Sequence, residues 1–122
     1  ILLQRVGMAH YAPEMHRKAF EASHTTIFVR RGGQLIGFGR AISDGVYQAA
    51  VYDVAVLPEY QRQGIGATIL QHILRNLPNC NVILYASPGK EHFYRTLGFR
   101  RMKTGMALFQ HPERMQEKGF TD

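Results

Sequence analysis

The chain has 122 residues, a length that suits one domain, and we expect that domain to span residues 1–122. Apolar residues make up 45% and charged residues 20% of the sequence, as in ordinary globular proteins, and no apolar run is long enough to cross a bilayer. The single cysteine, Cys80, excludes an internal disulfide and favours a reducing, cytoplasmic compartment. The net charge of +6 favours an anionic partner, but the basic residues are scattered, so nucleic acid is not expected.

The first half of the chain predicts one helix followed by three strands. These are a helix at Pro13–Ala22 and strands at Thr25–Val29, Leu35–Ile42 and Gln48–Val56. Glycines 32 and 33 indicate a hairpin between the first two strands, and residues 43–45 indicate a turn before the third. Strict alternation along the third strand puts Asp53 on the same face as Ala49 and Val51.

The second half predicts a helix, a strand, a second helix and a closing hairpin. An apolar stripe of helical period runs from Ile65 to Leu77. The remaining predictions are a buried strand at Val82–Ala86, a helix from Ser87 to Gly98, and a hairpin made of Phe99–Met102 and Gly105–Phe109. Met102 and Met106 read as core residues of that hairpin. The order of elements indicates an α/β or α+β domain with a mixed sheet.

The loop Gln61–Gly66 precedes the first of these two helices and has the character of a phosphate-binding loop. A helix N-terminus presents unpaired N–H groups and positive potential, and glycine lets a ligand approach the backbone. Two nucleotide loops do not match. Gly66 is followed by Ala67-Thr68 where a Walker A loop needs Lys-Ser/Thr, and Ile69 stands where a dinucleotide fingerprint needs its third glycine.

Two motifs in order resemble the GNAT superfamily of N-acetyltransferases. Gln61, Gly64 and Gly66 match the acyl-CoA loop pattern Gln/Arg-x-x-Gly-x-Gly/Ala, directly after a strand that ends in Val-Ala-Val. The segment Phe93–Phe99 matches the pattern F-Y-x-x-x-G-F. The resemblance runs from about Thr25 to Phe109 and implies a mixed, mostly antiparallel twisted sheet flanked by helices. It also implies that the family's first strand and part of its first helix lie before Ile1.

The resemblance implies a binding surface for acetyl-CoA, used as co-substrate without a metal. The residues that it assigns to the cofactor are Val54, Ala55, Val56, Gln61, Arg62, Gln63, Gly64, Ile65, Gly66 and Ala67. The loop N–H groups would hold the pyrophosphate, helped by Arg62, and a free N–H near Val56 would polarise the acetyl carbonyl.

Two residues are catalytic candidates. Tyr94 resembles the family's general acid, which donates a proton to the departing thiolate. Asp53 is the only acid in the strand where the family often has a glutamate that acts as the general base. Its carboxylate fits equally well as a general base or as a capping or loop-bracing group. The position where the family often has asparagine, seven residues before the tyrosine, is Ser87 here.

The predicted activity is therefore acetyl transfer to a primary amine by direct attack in a ternary complex. The acceptor is a small-molecule or peptide amine, and strongly cationic acceptors suit a basic chain poorly. Resemblance also implies a homodimer. Two alternatives stay open: a non-catalytic acyl-CoA-binding module, and a nucleic-acid-binding domain suggested by charge alone. The six histidines show no metal-ligand spacing.

Overall fold

A computed structural model describes residues 11–122 of the chain. Of these, residues 11–84 belong to one compact unit and Tyr85–Asp122 form another. The prediction of a single domain therefore stays a prediction. Along residues 11–122, no helix is both long and apolar enough to cross a membrane.

The first unit is built on a four-stranded sheet in the order β1-β2-β3-β4. Its elements are α1 (Pro13–Glu21), β1 (Thr25–Arg31), β2 (Gln34–Ser43), β3 (Gln48–Val56), a 3₁₀ turn (Pro58–Tyr60), α2 (Ile65–Arg75) and β4 (Asn81–Ile83). The first two pairings are antiparallel and the β3–β4 pairing is parallel. This mixed, mostly antiparallel sheet with flanking helices confirms the predicted fold class.

Both predicted turns between the antiparallel strands are confirmed. Gly32 and Gly33 have φ values of +57° and +82°, as a two-residue hairpin turn requires. At the β2–β3 turn, the carboxylate Oδ1 of Asp44 accepts the N–H groups of Val46 at 2.7 Å and Tyr47 at 2.9 Å. These backbone hydrogen bonds hold the pKa of the Asp44 carboxyl below its ordinary value.

Helix α2 covers one face of the sheet with its apolar stripe. Ile69, Leu70 and Ile73 are fully buried, and each contributes about 1.5–3 kcal/mol through burial of its side chain. The close approach of the helix depends on glycines in β2. A Cβ at Gly39 would lie 2.8 Å from Cγ2 of Ile69 and 3.1 Å from Cδ1 of Ile73.

We expect Gly39→Ala to destabilise the protein by about 1–3 kcal/mol, because the added methyl group overpacks the contact between β2 and α2. The matched control is Gly105→Ala, since Gly105 has no positive φ and its nearest foreign atom, Cβ of Met102, would lie 3.9 Å away. Urea unfolding with a common m value measures both. Equal free energies of unfolding for the two variants would contradict the packing argument.

The strand predicted at Val82–Ala86 is wrong in length and burial. β4 ends at Ile83, whose side chain is 52% exposed. It forms three residue pairs with β3 at Gln48–Ala50. No further strand occurs in residues 84–122, so β4 is the edge of the described sheet. An edge strand has a neighbouring strand on one side only, and β4 is therefore more exposed than a central strand.

The second unit contains two short helices, α3 (Glu91–Thr96) and α4 (Pro112–Glu117). The helix predicted from Ser87 begins later, because residues 87–90 form a turn. The Ser87 carbonyl accepts the Lys90 N–H at 2.9 Å, and Gly89 has φ of +90°. Proline followed by glycine at the two central positions favours a type II turn over a helix start.

The closing hairpin predicted at residues 99–102 and 105–109 is wrong. The structure has no strand in this segment, and the side chains of Met106 and Leu108 are 95% and 98% exposed. Met102 is also exposed. Apolar alternation predicts a strand only where a neighbouring strand satisfies its backbone groups, and within residues 85–122 none is available. Tyr85, Phe109 and Phe120 instead form an aromatic cluster in this unit, with ring centroids 5.5–6.5 Å apart.

Candidate active site

A β-bulge interrupts β3 at the point where the sequence places its candidate acid. Phe38 of β2 pairs with Ala55, and Arg40 pairs with Tyr52, so Asp53 and Val54 both stand opposite Gly39. Asp53 has φ of +58°, in the left-handed region that a non-glycine residue rarely adopts. The strict alternation predicted along this strand therefore breaks at Asp53, because an inserted residue reverses the facing of those that follow.

Beyond the bulge, no strand of residues 11–122 pairs with the edge of β3 that faces away from β2. β4 pairs only with the start of β3, at Gln48–Ala50. At the other end, the Leu57 N–H donates to the Ile36 carbonyl of β2 at 2.8 Å. Since successive N–H groups of an extended strand point to opposite edges, the N–H and C=O of Val56 point away from β2. Val56 thus offers an N–H group on the edge where the acyl group is expected.

Gln61 joins the predicted loop to this edge. Its side-chain Nε2 donates to the Val56 carbonyl at 2.9 Å. The first motif residue therefore braces the end of β3 rather than pointing away from it, and it brings Val54–Val56 together with the loop that follows. The Nε2 of Gln63 reaches the carbonyl of Glu59 at 3.5 Å, a longer contact within the same turn.

The loop itself is shaped by two left-handed residues. Arg62 has φ of +64° and Gly64 has φ of +82°. Gly64 is the N-cap of α2, and its carbonyl accepts the Thr68 N–H at 3.0 Å. Left-handed residues interspersed with ordinary ones turn backbone N–H groups into a concave anion-binding surface. An arginine held in this strained conformation supports a functional loop.

The N–H groups at this helix N-terminus are available to a ligand. Within the described part of the chain, the N–H groups of residues 62–67 donate to no other group. A Cβ built at Gly64 would meet nothing within 4 Å, so the space in front of the backbone is open. Unpaired donors, a helix dipole and this open space fit a pyrophosphate group.

A second arginine lies near the loop. The Arg31 guanidinium sits over the ring of Tyr60, 5.8 Å from its centroid, and Tyr60 directly precedes Gln61. The aromatic ring thus holds a positive charge near the predicted phosphate site, where Arg62 is also exposed. The sequence alone does not indicate the contact between Arg31 and Tyr60, because it depends on how the hairpin folds.

The carboxylate of Asp53 is engaged by Arg40. Arg40 Nε donates to Asp53 Oδ2 at 2.7 Å, and Arg40 Nη1 donates to Ser23 Oγ at 3.2 Å. The exposed fractions of the two ionic side chains are 14% for Arg40 and 26% for Asp53. The structure thus adds Arg40 to the site. Only the sheet register reveals it, because it lies 13 residues from Asp53 in the chain.

Tyr94 belongs to the second unit, where its motif has a clear structural basis. Gly98, with φ of +96°, follows the end of α3. Its N–H donates to the Arg95 carbonyl at 3.0 Å, and the Phe99 N–H donates to the Tyr94 carbonyl at 3.1 Å. This is a Schellman motif, whose usual hydrophobic contact is supplied by the Tyr94 and Phe99 rings at 5.9 Å. The glycine and the final aromatic of the motif therefore fix the end of the helix that carries Tyr94.

Burial raises the pKa of the Tyr94 hydroxyl above its ordinary value of 10.0. Removing water disfavours the phenolate, so the group is held as a neutral proton donor throughout the neutral pH range. This is the protonation state that a general acid needs before it transfers its proton.

The described residues were also compared with the side-chain groups that bind metal ions in proteins. Across residues 11–122, no three His, Cys, Asp or Glu side chains are grouped so that they could hold a metal ion. Of the six histidines considered from the sequence, His10 lies outside the described residues.

Comparison with known proteins defines the class of this fold and loop. Residues 4–107 match the family model of the acetyltransferase (GNAT) domain. The GNAT-family acetyltransferase SP0256 of Streptococcus pneumoniae superposes with a TM-score of 0.77 at 29% identity, covering 89% of this chain and 88% of that one. The chain belongs to the GNAT acetyltransferase family.

Two curated relatives are similar in sequence over most of the chain. Serotonin N-acetyltransferase 2, chloroplastic, from Oryza sativa is 33% identical over 92% of this chain and 61% of its own length. An uncharacterized ycf52-like N-acetyltransferase from Prochlorococcus marinus is 35% identical over 80% of this chain and 58% of its own length. The chain thus spans less than two thirds of either relative.

Proposed function

We propose that the protein transfers an acetyl group from acetyl-CoA to a primary amine by direct attack in a ternary complex. The observation that carries the proposal is the continuous surface formed by the free edge of β3, the Gln61 brace and the open loop at the start of α2. An unpaired strand N–H next to an anion site suits a molecule such as acetyl-CoA, which has a thioester at one end and a pyrophosphate farther along. Family membership supports the same reaction.

The chain's own groups would divide the work as follows. The N–H groups of residues 62–67 would bind the pyrophosphate, with Arg62 and Arg31 adding positive charge. The Val56 N–H would donate to the thioester carbonyl as negative charge develops there; such a donor is worth about 3–4 kcal/mol in the transition state. The Tyr94 hydroxyl would protonate the departing thiolate. The amine nitrogen would form the new bond to the acetyl carbon and pass a proton to a general base, for which the Asp53 carboxylate is the candidate.

The acceptor is proposed as a small-molecule or peptide amine. The rice relative is a serotonin N-acetyltransferase by name, which supports including serotonin among the amines tested. The net charge of +6 argues against polyamines and other strongly cationic acceptors, because like charges repel in the encounter. Asp53 remains the proposed general base, because Arg40 binds only one of its two carboxylate oxygens.

The cytoplasmic compartment and the homodimer also remain proposals. A single free cysteine suits a reducing compartment. The rice relative is named as a chloroplast protein. Localisation of the whole protein in cells tests the cytoplasmic assignment against the chloroplast.

An acceptor screen tests the function. Release of CoA from acetyl-CoA is measured with serotonin, a small aliphatic amine and a peptide with a free N-terminus, each against a blank without amine. The blank also corrects for reaction of the thiol reagent with Cys80. We expect amine-dependent release with at least one acceptor and an acetylated product of the expected mass.

Two other results would overturn the proposal. Acetyl-CoA binding without release for any amine would favour the non-catalytic acyl-CoA-binding module. Absence of acetyl-CoA binding, together with nucleic-acid binding that weakens steeply with salt, would favour the nucleic-acid alternative.

A further inference from the structure

Arg40 is held from several sides in the first unit. Its guanidinium carbon lies 5.7 Å from the ring centroid of Phe20 and 5.3 Å from that of Tyr52. Its Nη1 lies 3.2 Å from Ser23 Oγ, and that hydroxyl in turn donates to the Ala19 carbonyl at 2.7 Å. Two aromatic faces and a hydroxyl leave this arginine little freedom, so the position of its Nε is well determined.

That fixed Nε holds the residue at which β3 is bulged. Asp53 adopts φ of +58°, which costs a non-glycine residue energy unless its surroundings hold it there. Its hydrogen bond from Arg40 Nε, at 2.7 Å, is charge-assisted and only partly exposed to solvent. Arg40 is also the β2 residue at which the register shifts. The ion pair therefore joins the two strands at the bulge itself.

The bulge decides which backbone groups face the free edge. Because N–H groups alternate along a strand, pairing the same residues regularly after Tyr52, without the bulge, would turn every following N–H to the opposite edge. With the bulge, the Val56 N–H points away from β2; without it, the same group would turn toward β2. The direction of the proposed carbonyl donor thus depends on the bulge at Asp53.

We propose that Arg40 and Asp53 are positioning residues that hold the β3 bulge, and thereby aim the Val56 N–H at the thioester carbonyl. The inference rests on the proposed function, since it concerns the same site. It assigns the Asp53 carboxylate the bracing role that the sequence left open beside the role of general base.

The test uses the infrared stretching frequency of the thioester carbonyl in ¹³C-labelled acetyl-CoA bound to the full chain. A hydrogen bond to the carbonyl lowers this frequency relative to free acetyl-CoA. We expect a lowered frequency in the wild type and a return toward the free value in Arg40→Met and in Asp53→Ala. With an acceptor found in the screen, kcat should fall by about 100-fold in each, the effect of displacing a reacting group by about 1 Å.

Rescue by glycine makes the test specific. Glycine adopts positive φ without strain, so the double variant Arg40→Met/Asp53→Gly should recover the lowered frequency and much of kcat, whereas Arg40→Met/Asp53→Ala should not. The matched control is Arg17→Met, which removes an exposed ion pair with Glu21, 3.7 Å long, and should change neither quantity. Thermal unfolding followed by circular dichroism establishes that each variant is folded.

The contrary results are distinct. A frequency in folded Arg40→Met that equals the wild-type value would overturn the positioning role. Loss of kcat in both Asp53→Ala and Arg40→Met/Asp53→Gly, with the carbonyl frequency still lowered and the acidic limb of the pH–rate profile gone, would make Asp53 the base instead. A wild-type protein that fails to bind acetyl-CoA would overturn the proposed function rather than this inference alone.

Discussion

Gly64→Val is expected to weaken acetyl-CoA binding by about 30- to 1,000-fold. The space beyond a Cβ at Gly64 is open, and the adjoining N–H groups are unpaired among the described residues. A side chain there would fill that space and keep a phosphate from the backbone. Loss of one or two hydrogen bonds to a charged group is worth about 2–4 kcal/mol, which gives the stated range. Isothermal titration with acetyl-CoA measures the change.

Backbone strain is the competing explanation, and another glycine controls for it. Gly33 has the same φ of +82° and no atom within 4 Å of its Cβ position, but it lies in the β1–β2 hairpin. Valine should therefore cost similar conformational energy at Gly33 and at Gly64, about 1–2 kcal/mol. Acetyl-CoA should bind Gly33→Val as tightly as the wild type. Equal weakening in the two variants would mean that strain, not blocked access, explains the loss.

The second large effect is expected for Tyr94→Phe. The variant lacks only the hydroxyl and keeps the ring that contacts Phe93 and Phe99. The Schellman motif at the C-terminus of α3 should therefore be unchanged. We expect kcat to fall by about 100- to 10,000-fold, the range for removal of a general acid, while the Kd for acetyl-CoA stays unchanged. Tyr47→Phe, which removes a hydroxyl from a side chain that is 60% exposed, is the matched control and should be neutral.

The pH dependence follows from the direction of the Tyr94 pKa shift. Burial raises that pKa above 10.0, so the acid form persists through the neutral range and is lost only as the pH rises beyond that value. The decline of the wild-type rate that Tyr94 causes should therefore begin at a higher pH than deprotonation of an ordinary tyrosine would give. This alkaline decline should be absent in Tyr94→Phe. Turnover by Tyr94→Phe equal to that of the wild type would make the acid role wrong.

Elements with local causes were predictable from the sequence. The two-glycine hairpin, the Asp44 turn, the apolar stripe of α2 and the Gly98 helix end each depend on residues a few positions apart. Propensity and spacing describe such interactions well. The failures in the second half have equally definite causes. Ser87-Pro88 favours a helix start, but Gly89 makes the segment a turn. The final apolar segments have no strand to pair with within residues 85–122.

By itself, the sequence determined the class of protein and indicated the loop that we propose binds the donor, because glycines, a helix start and two ordered motifs carry that information along the chain. Only the tertiary structure decided how the end of β3 is arranged. The bulge at Asp53, its partner Arg40 and the Gln61 bond to Val56 arise from strand register and from contacts that composition does not encode. A one-residue shift between paired strands reverses the direction of every later N–H group, and periodicity alone cannot reveal such a shift.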